Sequence, residues 1–145
     1  MFVQNNYAQR LPIWEKNIQV VALEDSSDTS IVINHFFATW CKPCLEELPI
    51  FDSLARLNSG KIQIEFICLD LENTRGLSSS VAKLKLPGAA YYLAPNATNI
   101  KRVSPSWDGT LPFTLIYFPH ENTPIEVNGK QTTRSLQQLI KLHEN

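Results

Sequence analysis

The sequence lacks the features that mark several large classes of protein. Its 145 residues include only three cysteines, and no apolar run approaches the roughly 20 residues that span a bilayer. The formal net charge is −1, from 13 basic and 14 acidic side chains, and no basic run is present that could neutralise phosphates. These absences argue against a membrane span in this chain, a nucleic-acid-binding surface and the multiple-disulfide framework of small secreted proteins.

Metal and cofactor sites are also poorly supported. The histidines stand singly at His35, His120 and His143, so they do not join the cysteines in the four-ligand pattern of a zinc site. We therefore expect no metal and no cofactor. Residues 1–10 are polar and do not resemble a secretory signal. This leaves two possibilities open, a cytoplasmic protein or a chain from which a leader has been removed.

Hydrophobic periodicity predicts a single α/β domain. The length of 145 residues, with 43% apolar side chains, is sufficient for one core. Helices between apolar strands predict a mixed sheet flanked by helices, with right-handed parallel crossovers in its first half and an antiparallel hairpin towards its end. The predicted strands are 18–23, 31–38, 62–71, 89–93, 113–118 and 124–127; the predicted helices are 44–57, 77–86 and one capped by Thr132 or Thr133; residues 94–109 are predicted to form a loop.

The most informative motif is Trp40-Cys41-Lys42-Pro43-Cys44, which lies where the strand at 31–38 gives way to the helix at 44–57. The first turn of a helix has N–H groups without partners and the positive end of the helix dipole. A thiolate at Cys41 is stabilised there, so its pKa should fall below the free value of about 8.5. The charge of Lys42 acts in the same direction, and Pro43 fits a first turn because its missing N–H is not needed.

Two cysteines separated by two residues can form a bridge that closes a very short loop. Such a bridge stabilises a fold little through chain entropy, so it suits a bond that opens and closes. We expect Cys41, at the more exposed end, to attack a partner disulfide and Cys44 to resolve the mixed disulfide. The alternative is that both thiols are incidental.

The stretch 34–49 (NHFFATWCKPCLEELP) and the stretch 109–116 (GTLPFTLI) resemble the thioredoxin superfamily. They are most similar to its TlpA/ResA-like branch of extracytoplasmic thiol–disulfide oxidoreductases. The resemblance covers roughly 30–145 and implies a thioredoxin-like fold. It divides the chain into an N-terminal extension at 1–25, with a possible first strand, and a core at 26–145 with an insertion around 94–109.

The resemblance also implies roles for individual residues. It identifies Pro112 as the family's cis-proline beside the dithiol, and the backbone of Leu111 as the edge that pairs with an extended substrate segment. It identifies Glu47 as a carboxylate that accepts or relays the proton of Cys44. Trp40 and Trp107 are expected to flank the dithiol as an apolar platform that contacts substrate.

Each of these assignments has a simpler alternative. Pro112 could be a trans residue that opens a strand, and Trp107 could pack in its loop. Glu47 could lie on a solvated helix face with Glu46 and Asp52. Pro49 is expected to bend the helix without ending it, because the apolar pattern continues beyond it.

His35 departs from the family pattern, which has a buried acid or an asparagine six residues before the first cysteine. Strand alternation places it on the apolar face of Ile31, Ile33 and Phe37. It is either a satisfied core residue or a group that tunes or deprotonates Cys44 near neutral pH. Cys68, on another predicted strand, is expected to be a buried and inert small hydrophobe.

The sequence therefore predicts a thiol–disulfide oxidoreductase that exchanges the Cys41–Cys44 dithiol with protein substrates and an upstream redox partner, in cell redox homeostasis. Lys42 favours an oxidase, whereas Pro43 before the second cysteine resembles the reducing members, and a reductase is preferred. The alternatives are an oxidase and a binding module with a non-catalytic dithiol. A peroxidase is disfavoured because Ala38 replaces the required threonine. We expect a monomer in an extracytoplasmic or periplasmic compartment, with a cytoplasmic location as the alternative.

Overall fold

The structure, a computed structural model, describes Trp14, residues 30–70 and residues 86–143. The predicted strand at 18–23 and nearly all of the predicted helix at 77–86 lie outside the described residues. The described elements are β1 (Ile31–Phe37), α1 (Lys42–Leu57), β2 (Ile62–Cys68), β3 (Ala89–Tyr92), α2 (Ala97–Val103), β4 (Phe113–Tyr117), β5 (Ile125–Asn128) and α3 (Thr133–His143).

The described strands form one mixed sheet in the order β3-β2-β1-β4-β5. β2 is parallel to both β1 and β3, whereas β4 is antiparallel to both β1 and β5. This confirms the predicted parallel first half and the antiparallel hairpin. The central position of β1 matters for function, because its carboxyl end leads directly to the two cysteines.

β1 is buried on both faces, as its run of β-branched and aromatic residues indicates. Ile33 and Phe37 face a core that is completed by α1 and α3. Phe36 faces a second core that contains Trp14 and Trp107. Because each large apolar side chain contributes roughly 1.5–3 kcal/mol when it is fully buried, this double coverage holds the central strand firmly in place.

Helix α1 begins immediately after Cys41, which is its N-cap residue, and continues through Pro49 to Leu57. Its buried positions recur at helical spacing, so the apolar face of the helix lies against β1 and β2. The prediction that Pro49 does not end the helix is confirmed. The bend expected at that proline stays a prediction.

The prediction that residues 94–109 form only a loop was wrong, because this segment contains α2. The side chain of Asn96 caps the helix by accepting the N–H of Asn99 at 2.8 Å. Pro95 and Asn96 are residue types that are common in loops, but a polar residue such as Asn96 is also a common N-cap of a helix. The buried Val103 anchors this short helix to the second core.

Asn58, the C-cap of α1, should couple α1 to α3. Its Nδ2 donates to the carbonyl oxygen of Leu54 and to Oε1 of Gln137, both at 2.9 Å. Asn58→Ala should lower the free energy of unfolding in urea by about 1–2 kcal/mol, because it removes the side-chain hydrogen bonds to the Leu54 carbonyl and to the half-buried Gln137. In a double-mutant cycle with Gln137→Ala we expect a coupling of about 0.5–1 kcal/mol. Asn128→Ala, on an exposed side chain, is the control; additive effects at 58 and 137 would contradict the coupling.

Candidate active site

The two cysteines of the motif form a disulfide at the start of α1. The Cys41–Cys44 bond has an S–S distance of 2.17 Å and joins Cα atoms 5.2 Å apart. Cys41 is 4% exposed, and Cys44 is fully buried. Cys41 is therefore the sulfur that an incoming partner reaches first, and Cys44 lies behind it.

The helix start acts directly on the outer sulfur. The backbone N–H of Cys44 donates to Sγ of Cys41 at 3.3 Å, so the sulfur occupies the position of a capping acceptor. The first turn of α1 carries no acidic residue, and the side chain of Lys42 is exposed beside it. Unsatisfied N–H groups and this positive charge both favour negative charge on Cys41 once the bond is reduced.

The turn between β1 and α1 is held by an acid that sequence reasoning missed. Asp70 accepts the backbone N–H of Thr39 with both carboxylate oxygens at 3.1 Å, and it also accepts the Thr39 hydroxyl. Thr39 lies two residues before Cys41, so Asp70 orders the approach to the dithiol. The available signal was the position of Asp70 just after β2, because the ends of neighbouring parallel strands meet at one edge of a sheet.

Leu111 and Pro112 are joined by a cis peptide bond, as expected for Pro112. The carbonyl oxygen of Pro112 accepts the N–H of Gly129 at 2.9 Å, which ties this loop to the turn after β5. Leu111 packs against both cores. Its role, and that of Pro112, in contacting substrate stays a prediction.

The two tryptophans differ strongly in exposure. Trp40 is 73% exposed, which makes it an open apolar surface beside Cys41. Trp107 is 4% exposed, stacks on Phe113 with ring centroids 4.6 Å apart, and donates its Nε1–H to the carbonyl oxygen of Thr110. Trp107 packs within the second core, so very little of its side chain is left for a substrate to contact.

Glu47 is fully buried, in contrast to Glu46, which is exposed, and Asp52. The alternative that Glu47 lies on a solvated helix face is therefore wrong. One oxygen of Glu47 accepts the backbone N–H of Gln131 in a short hydrogen bond, and the other lies 3.4 Å from Nδ1 of His35. A helix face that looks charged in sequence thus turns a carboxyl group inwards, one turn beyond Cys44.

His35 lies on the apolar face that strand alternation predicts, with its ring centroid 4.4 Å from that of Phe51. Its Nδ1 is 3.1 Å from Oγ1 of Thr114, the residue opposite it in the β1–β4 register. Nδ1 therefore faces a hydroxyl and a carboxyl oxygen at once. The part of Thr114 was not predictable, because it depends on the register between β1 and β4.

Burial shifts this pair in opposite directions. Burial raises the pKa of Glu47 from 4.5 to about 7, against the smaller opposing effects of the Gln131 N–H and the charge of Lys130. Burial lowers the pKa of His35 from 6.5 to about 3. Both shifts favour the neutral form, so the pair holds its proton on the carboxyl group and is not an ion pair at mildly acidic pH.

Cys68 is buried, as predicted, but its surroundings are not wholly apolar. Its Sγ donates to Oδ1 of Asp70 at 3.0 Å, so it supports the acid that holds Thr39. Among the described residues, no group of three or more His, Cys, Asp or Glu side chains could hold a metal ion. The described part of the chain also contains no helix with the length and apolar character needed to cross a membrane.

The curated proteins that are similar to this chain include thiol–disulfide oxidoreductases. No family model matches the chain. The chain is 27% identical over 126 residues to the thiol–disulfide oxidoreductase ResA of Bacillus thuringiensis and, at the same level, to that of Bacillus cereus. Each match covers 83% of this chain and 67% of the relative.

Solved structures share the fold at lower identity. A DsbF homologue from Corynebacterium diphtheriae superimposes with a TM-score of 0.68 at 16% identity, over 92% of this chain and 87% of that one. A secreted disulfide oxidoreductase of Mycobacterium tuberculosis, described as homologous to DsbE of E. coli, gives a TM-score of 0.62 at 20% identity, over 81% and 84%. With the disulfide at the start of α1 and the cis peptide bond before Pro112, these matches show that the chain has a thioredoxin-like fold and is similar to thiol–disulfide oxidoreductases.

Proposed function

We propose that this thiol–disulfide oxidoreductase acts as a reductase of protein disulfides through Cys41 and Cys44. The observation that carries the thiol–disulfide exchange, as distinct from its direction, is the hydrogen bond from the Cys44 N–H to Sγ of Cys41 at the first turn of α1. It favours a thiolate on the more accessible sulfur, with the second sulfur held one turn away.

Reduction of a substrate disulfide takes place in two steps. The Cys41 thiolate attacks one sulfur of the substrate disulfide, and the other substrate sulfur leaves as a thiolate. Cys44 then loses its proton and attacks Sγ of Cys41, which releases the second substrate thiolate and leaves the Cys41–Cys44 disulfide. Two electrons have passed to the substrate, so an upstream dithiol partner must reduce the protein again.

The buried Glu47 and His35 pair is proposed to serve the second step. Cys44 is fully buried, so its proton has no direct route to water. Glu47 is one helical turn further along α1, and Nδ1 of His35 is 3.4 Å from its carboxyl oxygen. A group with a pKa near 7 can both accept and release a proton at neutral pH. Glu47 could therefore take the proton of Cys44 in one turnover and lose it before the next.

The substrate is proposed to lie across Trp40, Leu111 and Pro112. Trp40 offers an exposed apolar face next to Cys41. An extended substrate segment would pair with the backbone of Leu111 as an added strand, and side-chain contacts would supply selectivity. Trp107 was also predicted to contact substrate; its burial limits any such contribution to support of this surface.

The reducing direction rests on Pro43, which matches the reducing members of the superfamily, against the opposite influence of Lys42. We propose that the chain works as a monomer in an extracytoplasmic or periplasmic compartment; a cytoplasmic location is the alternative. The structurally similar disulfide oxidoreductase of Mycobacterium tuberculosis is a secreted protein, which supports the former. Fractionation of the native cells, followed by immunoblotting for the protein, would distinguish the two compartments.

Replacement of each cysteine should give a different defect. Cys41→Ser should abolish insulin reduction, because no nucleophile remains at the accessible position. Cys44→Ser should also lose turnover but should accumulate a mixed disulfide between Cys41 and the substrate, visible on a non-reducing gel. Cys68→Ser is the matched control and should retain turnover. Turnover that survives Cys41→Ser would contradict the assigned role of Cys41, and an inactive wild type would favour the binding module.

Reversal of the charge at Lys42 should raise the thiol pKa of Cys41. In Lys42→Glu, a negative charge replaces a positive one beside the helix start, so the thiolate and with it the reduced form become less stable. The midpoint potential should become more negative by roughly 10–30 mV. Iodoacetamide alkylation against pH and equilibration with glutathione would measure both quantities. Lys61→Glu, the same change at an exposed position remote from α1's first turn, should leave them unchanged.

Glu47 should make stability decline as pH rises. Because its folded-state pKa is raised to about 7, the folded protein keeps a proton that the unfolded chain loses above about 4.5. The free energy of unfolding should therefore fall by about 2–3 kcal/mol between pH 4.5 and pH 8 from this group. The neutral Glu47→Gln variant should lack this decline in urea titrations at each pH. An equal decline in both proteins would contradict the raised pKa.

The same variant tests the proton-transfer role. If Glu47 accepts the proton of Cys44, Glu47→Gln should slow release of the substrate from the mixed disulfide by about a hundredfold while attack by Cys41 continues. Stopped-flow kinetics over pH 5–9 would separate the two steps. His35→Ala examines the partner group. Unchanged thiol pKa values and reduction rate in that variant would exclude His35 from tuning Cys44.

A further inference from the structure

A groove with a volume of about 250 Å³ opens beside Trp40, the residue that precedes Cys41. Two of its lining residues belong to the proposed substrate surface: Trp40, next to Cys41, and Leu111, next to Pro112. A side chain of a substrate segment that crosses these two residues therefore has a cavity available next to the residue that precedes Cys41. The remaining lining residues are Ala38, Leu69, Asp70, Tyr92, Pro95, Ile100 and Gly109.

Among the described residues, the groove combines apolar walls with one acidic side chain. Asp70 is the only acid among the described lining residues, and none of these residues is basic. α2 contributes to the wall through Ile100, so the segment wrongly predicted to be a loop builds this cavity.

The hydrogen-bond partners of Asp70 leave its charge uncompensated. They are the N–H and hydroxyl of Thr39 and the thiol of Cys68, and none of these donors is a cation. In the described part of the chain, no lysine, arginine or histidine nitrogen forms an ion pair with it within 4.0 Å. These hydrogen bonds give each carboxylate oxygen two contacts, so a cation would be attracted by the charge of Asp70 and not by a vacant acceptor position. Asp70 is also only partly buried, which keeps it within reach of a ligand.

We infer that this groove is a subsite for a lysine or arginine side chain close to the reactive cysteine of the substrate. Such a side chain has an apolar stem, which matches the walls, and a cationic end, which matches Asp70. The exposed ring of Trp40 offers a second favourable surface for the cation. The inference deepens the proposed function and depends on it, since it names the substrate class of the same site.

The test uses peptides that form an intermolecular disulfide and carry lysine, norleucine or glutamate at each of the two positions on either side of the cysteine. Their reduction by the wild-type protein is measured as kcat/KM at low ionic strength. At one or more positions, lysine should be reduced about three- to tenfold faster than norleucine, and glutamate more slowly than norleucine. Asp70→Asn should bring the lysine-to-norleucine ratio close to one, and the preference of the wild-type protein should shrink with added salt.

Two matched variants separate charge selection from support of Thr39. Thr39→Val removes the hydroxyl bond but keeps the charge of Asp70, so it should change all peptides by the same factor and preserve the ratio. Asp52→Asn removes one negative charge outside the groove and should also preserve the ratio. A uniform loss for every peptide in Asp70→Asn, or no lysine preference at any position in the wild-type protein, would overturn the subsite. Absence of turnover on all peptides and on insulin would overturn the proposed function, and the subsite with it.

Discussion

The arrangement of the molecule depends on one contact, the donation of a backbone N–H from the first turn of α1 to the sulfur of Cys41. A cysteine side chain here does what serine or aspartate does at other helix starts, and it gains stabilisation of its anionic form in return. The contact requires α1 to begin at one defined residue. The rest of the described fold meets that requirement from two directions, through the strand that leads into the motif and through the apolar face of the helix that follows it.

The strand side is controlled by double burial. Phe36 and Phe37 point into opposite cores, so a shift of β1 by one residue would exchange their positions. The same shift would move His35 away from Glu47 and Thr114. Beyond β1, the carboxylate of Asp70 holds Thr39. The backbone therefore reaches Cys41 with little freedom. Trp40 can be largely exposed to a partner without loosening the site, because the backbone of β1 and Thr39 that leads to it is held in place.

Much of this was accessible from sequence, for identifiable physical reasons. The strand at 31–37, the helix that follows the motif and the cis bond before Pro112 each have a strong local signal, either periodicity or a specific residue pattern. Interactions between distant residues were less accessible. The inward position of Glu47 depends on the N–H of Gln131, which is 84 residues away, and the partner of His35 depends on strand register. α2 was missed because seven residues are too few for a clear periodic pattern.

The hydrogen bond from the Gln131 N–H to Glu47 limits which segments of this chain can be exchanged with those of a homologue, in evolution or in engineering. Glu47 lies on α1, whereas the N–H of Gln131 that donates to it lies in the segment between β5 and α3. A chimera that took one of these parts from another homologue would bury an acidic group without its matching amide, or an amide without its acceptor. The N-terminal half of the active site and the C-terminal helix region are therefore expected to exchange between relatives only as a unit.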